Sequence, residues 1–300
     1  MADYVALIER LNRGGRVFID GGTGTEMERR EVPLLDNAWN GGGALSHPDL
    51  LRQVHEEYIS EGAEIIISNT FGTSLHALTE AGEGDRFEEY NRSSVEIALQ
   101  ARQNMNRPDV LVAGGIAYWS WSGKHPTLEA LSKSVEVQAR VMKETGAELL
   151  MLEMMIDLDR MQVTLEAAQT SGLPVWVGLS CKSNSAKEMC LYNGTLLKEA
   201  LRFLKGRNVP LVSIMHTDIS LIEACLDVVD AHWDGFVGVY AHSCEFNKDH
   251  SCAFETAISP EGFATHAEKC AAREIHLFGG CCGTGPEHMA AARKFFSADA

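Results

Sequence analysis

The sequence predicts a single domain, residues 1–300, folded as an α/β protein of the (β/α)8 TIM-barrel class. Eight short apolar runs recur along the chain, most are followed by an amphipathic helical pattern, and 300 residues is an ordinary length for one such barrel. Apolar strands that alternate with helices favour parallel pairing with both faces covered. An open doubly wound sheet is the competing fold, but eight repeats of the unit favour a closed barrel.

The predicted elements follow one another in a regular order. The predicted strands are residues 17–20, 64–68, 110–113, 148–152, 175–179, 211–214, 236–240 and 276–278. The predicted helices are residues 50–60, 85–104, 127–145, 158–171, 195–205, 219–230 and 286–296. Two long connections, residues 21–48 and 240–262, interrupt this order, and loops of that length in a compact domain are often functional.

Composition and charge exclude several classes of protein. The formal net charge is −16, from 42 acidic and 26 basic residues, and no basic run could attract a nucleic acid locally. The apolar runs are too short to cross a membrane, and the first 16 residues lack the apolar segment of a secretory signal. We therefore expect a cytoplasmic protein whose eight cysteines are reduced, with neither nucleic-acid nor membrane partners.

Polar and sulfur-containing side chains follow the predicted strands at their carboxyl ends. In barrels of this class the catalytic groups lie at that end, so we expect these side chains to share one rim. They are Asp20 and Gly21 after the first strand, Asn69 and Thr70 after the second, Glu153 after the fourth, His216 after the sixth, His242 after the seventh, and Cys281 and Cys282 after the eighth.

The adjacent cysteines Cys281 and Cys282 are the most specific of these features. Glycines flank the pair, and two neighbouring thiolates can face one metal ion. A catalytic zinc ion takes cysteine and histidine ligands and keeps one tetrahedral position open for substrate. The alternative interpretation is a pair of small apolar residues in a tight turn.

Residues 279–288, Gly-Gly-Cys-Cys-Gly-Thr-Gly-Pro-Glu-His, closely resemble the C-terminal signature of the zinc-dependent homocysteine S-methyltransferases. Residues 20–26, 66–71 and 150–153 are similar to that family's motifs at the first, second and fourth strands, in the same order and spacing. The resemblance implies a (β/α)8 barrel, Zn²⁺ held by three cysteines and homocysteine as methyl acceptor. It also implies a donor such as S-methylmethionine, betaine or a methylated folate, the folate being less favoured because that use typically needs additional domains.

The resemblance also implies roles for individual residues. Cys281 and Cys282 match two of the family's zinc ligands, while Asp20 and Glu153 match acidic residues that hold the acceptor's amino group. Two carboxylates beside an ammonium group would form charge-assisted hydrogen bonds. A turn residue at Asp20 and a helix N-terminal carboxylate at Glu153 are the alternatives. The further predicted substrate contacts in these motifs are Gly21, Asn69 and Thr70.

The chain departs from the family pattern at the predicted third zinc ligand. A cysteine is expected at the end of the sixth strand, where this sequence has His216. Imidazole is an ordinary zinc ligand, so we predict a site of two cysteines and one histidine. The exchange removes one negative charge, which would make the metal a stronger Lewis acid and a thiolate bound to it a weaker nucleophile.

Two further departures concern side chains near the predicted rim. Residues 114–121, after the third strand, differ from the Gly-Pro that the family usually has there and contain Tyr118, Trp119 and Trp121. An aromatic wall would suit a methylsulfonium or quaternary ammonium donor. A planar aromatic substrate or plain packing would explain them equally. His242 would serve as a proton carrier or a further metal ligand, with an exposed loop histidine as the alternative.

Together these features predict a zinc-dependent enzyme that moves a methyl group from a small methylated donor to a thiol acceptor, most simply homocysteine to give methionine. Two other functions stay open. One is demethylation or metal-assisted hydrolysis of a different methylated substrate, which His216 and His242 favour; the other is a non-catalytic binding or redox-sensing role. The predicted partners are small molecules, and a homo-oligomer is compatible with the sequence because helices outside a barrel can pair.

Overall fold

The computed structural model describes residues 4–296 apart from residue 249. Eight parallel strands form one sheet: β1 Val17–Phe18, β2 Ile65–Ile67, β3 Leu111–Ile116, β4 Leu149–Met155, β5 Val175–Leu179, β8 Leu211–Asp218, β9 Phe236–His242 and β12 Leu277–Gly280. Their order in the sheet is β1-β12-β9-β8-β5-β4-β3-β2, and a parallel bridge between Ile19 and Ile65 joins its two edges. The predicted (β/α)8 barrel is therefore confirmed.

Two small antiparallel hairpins extend the rim beyond the predicted strands. They follow β5 and β9, and their strands are β6 Cys181–Ser183, β7 Met189–Leu191, β10 Glu245–Phe246 and β11 Cys252–Ala253. Since β5 and β9 are barrel strands, each hairpin begins at the carboxyl end where the polar residues were expected.

The strands that carry predicted site residues run further than the sequence suggested. β4, β8 and β9 continue through polar positions because the neighbouring backbone still offers hydrogen-bond partners. The register shifts near the ends of β4 and β8, and the backbone there is left-handed, with φ 56° at Met154 and 42° at His216. Such strained positions are typical of functional sites.

Every predicted helix is present, with shifted ends. The helices are α1 Tyr4–Asn12, α2 Thr23–Arg29, α3 Gly43–Ser46, α4 Pro48–Ser60, α5 Leu75–Glu80, α6 Phe87–Asn104, α7 Leu128–Thr145, α8 Leu158–Gln169, α9 Leu197–Leu204, α10 Ile222–His232, α11 Pro260–Ala271 and α12 Pro286–Ala292. The sequence reading missed α1, α2, α3, α5 and α11, although Ser259 caps α11 by accepting a hydrogen bond from the Gly262 amide. Within the described ranges, no helix has the length and apolar character needed to cross a membrane.

The apolar core has an inner and an outer layer. The outer layer lies between strands and helices, while the inner one fills the barrel with side chains such as Trp176 and Leu277. Leu7 and Leu11 of α1 pack into the inner layer, and the Trp176 indole nitrogen donates to the Tyr4 hydroxyl at 3.0 Å. One end of the barrel is therefore filled, and the opposite end, where the strands finish, holds the open pocket.

Candidate active site

One pocket collects the chemistry at the carboxyl ends of the strands. Its cavity volume is about 290 Å³, and among the described residues its lining includes no lysine or arginine. The polar and thiol side chains that line it are Asp20, Thr23, Ser68, Asn69, Glu153, Tyr192, His216, Tyr240, Cys281 and Cys282. The predicted convergence of strand ends thus places Asp20, Gly21, Asn69, Glu153, His216, Cys281 and Cys282 around one cavity.

His216, Cys281 and Cys282 form a nearly equilateral triangle. The His216 Nδ1 atom lies 3.7 Å from each Sγ atom, and the two Sγ atoms are 3.7 Å apart. Tetrahedral zinc with its usual bond lengths would separate two sulfurs by about 3.8 Å and a sulfur from a nitrogen by about 3.6 Å. The three side chains therefore fit one face of a zinc tetrahedron, and all three line the cavity.

The glycine-rich loop after β12 holds the two cysteines in place. A side chain at Gly280 would bring its Cβ within 2.1 Å of the Thr284 Oγ1 atom, and Gly283 has a left-handed φ of 82°. The Thr284 hydroxyl donates to the Cys281 carbonyl at 2.6 Å, which closes the loop. Because only glycine fits these two positions without strain, the signature has a local structural cause.

The environment of the thiols favours one thiolate. The neighbouring Cys282 thiol and the His216 ring stabilise the ionised form of Cys281 and hold the pKa of that thiol well below its usual range. Two thiols this close cannot both ionise easily without a cation. The hydrogen bond between the two thiols, followed by burial and by the charge on Cys281, raises the pKa of Cys282 well above its usual range. A divalent ion is the group that would let both lose their protons.

His242 lies behind the triangle instead of on the cavity wall. Its ring centroid is 4.7 Å from that of His216, and its Nδ1 atom is buried with no hydrogen-bond partner among the described residues. Burial and the neighbouring His216 ring lower the pKa of His242 to about 4, so the ring is neutral at pH 7. This position suits support of His216 better than direct contact with a substrate.

The two predicted carboxylates line the same cavity, Asp20 just after β1, the neighbour of β12, and Glu153 on β4. Asp20 and Glu153 are only 1% and 8% exposed, and burial raises the pKa of both well above the usual range. Asp20 Oδ2 accepts a hydrogen bond from the Ile67 amide at 2.7 Å. Glu153 lies over Gly115, where a Cβ atom would be 2.5 Å from Oε2. A bound cation would favour the charged form of both groups.

Aromatic rings from loops build the rest of the cavity. Trp121 lies 5.6 Å from Trp119 and 6.0 Å from Trp39, measured between ring centroids, and Trp39 lies 6.1 Å from Phe71. Phe246 of β10 completes the wall 5.7 Å from the His216 ring. Trp119 and Trp121 therefore line the pocket as expected, together with aromatic residues that sequence reasoning did not single out.

Tyr118 and Thr70 lie outside the lining and act behind it. The buried Tyr118 hydroxyl accepts hydrogen bonds from the Ile156 and Asp157 amides, at 2.7 and 3.1 Å, and so holds the turn after β4. The Thr70 hydroxyl donates to the Gly115 carbonyl at 2.8 Å. Both expected substrate contacts are instead buried supports, because their hydroxyls are used by the backbone of neighbouring strand ends.

The expectation of reduced cysteines is wrong at one place. Cys244 and Cys252, which had no predicted role, form a disulfide that closes the β10–β11 hairpin. Their spacing of eight residues matches no metal motif, and only the fold of the hairpin shows that they meet. The other cysteines outside the pocket, Cys181, Cys190, Cys225 and Cys270, are free and buried.

Two of the aromatic pocket residues that sequence reasoning missed come from the two long connections. Trp39 lies in residues 21–48 and Phe246 in residues 240–262, the segments whose length alone suggested function. Tyr192, just after β7, reaches the pocket and donates its hydroxyl proton to the His216 carbonyl at 3.0 Å. Only the unusual length of the connections could have pointed to Trp39 and Phe246.

Comparison with known proteins agrees with the geometry. The family model described as homocysteine S-methyltransferase matches residues 17–296. A selenocysteine Se-methyltransferase from Brassica oleracea var. italica is 26% identical, with 94% of this chain and 89% of that protein aligned. Homocysteine S-methyltransferase 2 from Arabidopsis thaliana is also 26% identical, over 94% of this chain and 93% of its own.

A solved structure supports the fold independently. The metallated form of the homocysteine methyltransferase MmuM from Escherichia coli superposes with a TM-score of 0.79, at 22% identity, over 96% of this chain and 99% of that one. At this identity the likeness concerns the barrel alone. The family match covers nearly the whole chain. The chain therefore belongs to the homocysteine S-methyltransferase family and is an S-methyltransferase.

Proposed function

We propose that this enzyme transfers a methyl group from a small onium donor to homocysteine, and that His216, Cys281 and Cys282 hold the zinc ion this reaction uses. The observation that carries the proposal is the 3.7 Å triangle of these three side chains, in a cavity also lined by two buried carboxylates. When bound, zinc supplies the Lewis acidity that ionises a thiol acceptor near neutral pH.

The carboxylates select the acceptor. Asp20 and Glu153 provide negative charge in the cavity that the triangle lines, and no described lysine or arginine competes with them there. The three side chains His216, Cys281 and Cys282 are called the metal corner below. An amino acid with a thiol places its ammonium group on the two carboxylates and its sulfur at the metal corner. This pairing is strong because both carboxylates are buried away from water.

The aromatic wall receives the donor. Trp39, Trp119 and Trp121 present ring surface next to the metal corner, and ring faces attract a sulfonium or quaternary ammonium cation. The acceptor sulfur forms a bond to the donor methyl carbon as the bond from that carbon to the positive heteroatom breaks. The electron pair of the broken bond stays with the leaving group, which becomes neutral, and the chain holds both partners in line.

The test is the bound metal together with the reaction. We would measure zinc in purified, reduced wild type, in His216→Ala and in Cys282→Ala, with Cys225→Ala as the matched control because that cysteine is buried outside the pocket. We expect about one zinc ion per chain in wild type and control, and loss in the two ligand variants.

Methyl transfer would then be assayed with homocysteine and, as donors, S-methylmethionine and betaine. Selenocysteine would be tested as a further acceptor because one relative is named a selenocysteine Se-methyltransferase. Zinc that remains in His216→Ala would show that His216 is not a ligand. A zinc-loaded enzyme that methylates none of these acceptors would favour demethylation or hydrolysis of another methylated compound.

A further inference from the structure

The β10–β11 hairpin forms a wall of the pocket between the metal corner and the aromatic rings. Phe246 of β10 lines the cavity, with its ring centroid 5.7 Å from His216. His250, in the connection between the two strands, lies 4.7 Å from Trp121 between ring centroids. The hairpin thus contacts both the metal corner and the proposed donor side.

The disulfide covalently joins the two arms of this hairpin. Its two strands pair through only two residues each, and two-stranded hairpins are marginally stable by themselves. Among the described residues, its hydrogen bonds to neighbouring segments include those from the Glu245 amide to Thr256 Oγ1 and from the Cys252 amide to Glu28 Oε1. The Cys244–Cys252 bridge is buried beside Trp39 and Cys282, so it fastens the hairpin directly onto the pocket.

The metal corner has separate supports. The Cys281 amide donates to the Ala241 carbonyl at 3.1 Å, and the Ser243 amide donates to the Cys282 carbonyl at 3.0 Å. Ala241 and Ser243 both come before Cys244, where the bridge begins, and His216 belongs to β8. Opening the disulfide would therefore free the hairpin without removing a metal ligand.

We propose that the Cys244–Cys252 disulfide positions Phe246 as a wall of the donor side, so that reducing the bridge weakens binding of the methyl donor and leaves metal and acceptor binding unchanged. The donor part of this inference rests on the proposed function. Reduction by a phosphine breaks the S–S bond, each sulfur gains a proton as water is consumed, and the phosphine is oxidised to its oxide. A phosphine is suitable because it does not remove zinc as a chelating dithiol can.

The experiment compares the zinc-loaded enzyme, isolated without reductant, before and after treatment with a phosphine, with the bridge followed by mass spectrometry of alkylated peptides. On reduction we expect the KM for the donor to rise about tenfold, since the wall is no longer pre-organised, while the KM for homocysteine and the zinc content stay the same. Amide hydrogen exchange of residues 245–253 should become faster.

Two variants separate positioning from a general loss of structure. The double variant Cys244→Ser/Cys252→Ser should match the reduced wild type with or without phosphine. Phe246→Leu, which keeps the bridge, should raise the donor KM in both redox states. An unchanged donor KM and unchanged exchange after the bridge has opened would overturn the proposal, as would absence of the bridge from enzyme isolated without reductant. If no donor reacts at all, the proposed function fails separately, and the exchange measurement still decides whether the bridge positions the hairpin.

Discussion

The proposed acceptor side and the proposed donor side of the pocket are built from different parts of the molecule. On the acceptor side, Asp20, Glu153, His216 and the cysteine pair lie within or directly after β1, β4, β8 and β12. On the donor side, Trp39, Phe71, Trp119, Trp121 and Phe246 come from the loops and the hairpin between barrel elements. One side is therefore set by the barrel strands, and the other by contacts between loops.

This difference has a consequence for how each side is held. Asp20 is tied to the backbone of the next strand through the Ile67 amide, and the cysteine loop is closed by the Thr284 hydroxyl. The aromatic rings contact one another at centroid distances of 5.6 to 6.1 Å, and the Cys244–Cys252 disulfide closes the hairpin that carries Phe246. We infer that the acceptor chemistry is rigidly pre-organised, while donor choice can change through loop substitutions alone.

The largest effect should follow from a change on the acceptor side. Glu153→Gln keeps the size of the side chain but removes the charge that pairs with the acceptor's ammonium group. Losing one partner of a buried charge pair should lower kcat/KM for homocysteine by roughly 100-fold or more, with zinc content and donor KM unchanged. Steady-state kinetics with each substrate varied in turn checks this.

The control for that change is Glu166→Gln, an exposed acid on α8 outside the pocket, which should leave all constants unchanged. If Glu153→Gln altered the donor KM and left the homocysteine KM as it was, the assignment of the two sides would have to be reversed.

A smaller effect should follow on the donor side. Trp121→Ala removes an aromatic face that contacts both Trp39 and Trp119, so the KM for an onium donor should rise about tenfold. The donor KM of Trp121→Phe should lie between those of Trp121→Ala and the wild type. Trp233→Phe, at the opposite end of the barrel, is the matched control. Equal losses for the donor and for homocysteine would contradict a separate donor side.

The smallest effect tests a loop residue that serves the acceptor side. Tyr192→Phe removes the hydrogen bond to the His216 carbonyl, which stabilises the left-handed backbone at that residue. One such bond contributes about 0.5–1.5 kcal/mol, so zinc affinity should weaken roughly twofold to tenfold, measured by competition with a chelator. Tyr90→Phe, which also loses one hydroxyl bond but lies away from the pocket, should bind zinc like wild type. A changed donor KM with unchanged zinc affinity would assign Tyr192 to the donor side instead.

The acceptor side was largely readable from the sequence, and the donor side was not. Residues directly after an apolar strand can be assigned to the rim because parallel barrel strands all end at one face, and this placed Asp20, Glu153, His216 and Cys281 correctly in the pocket lining. The same rule misplaced Thr70, Tyr118 and His242, since a residue near a strand end can turn behind the lining.

The sequence by itself determined the barrel, the end at which its chemistry lies and the cysteine pair with its glycines, because strand and turn preferences act between close neighbours along the chain. Only the tertiary structure decided that Trp39, Phe71 and Phe246 share one wall, that Cys244 meets Cys252, and that a strained His216 completes the triangle with Cys281 and Cys282. These arrangements depend on contacts between segments far apart in sequence, and no local pattern encodes which distant side chain will fill the neighbouring space.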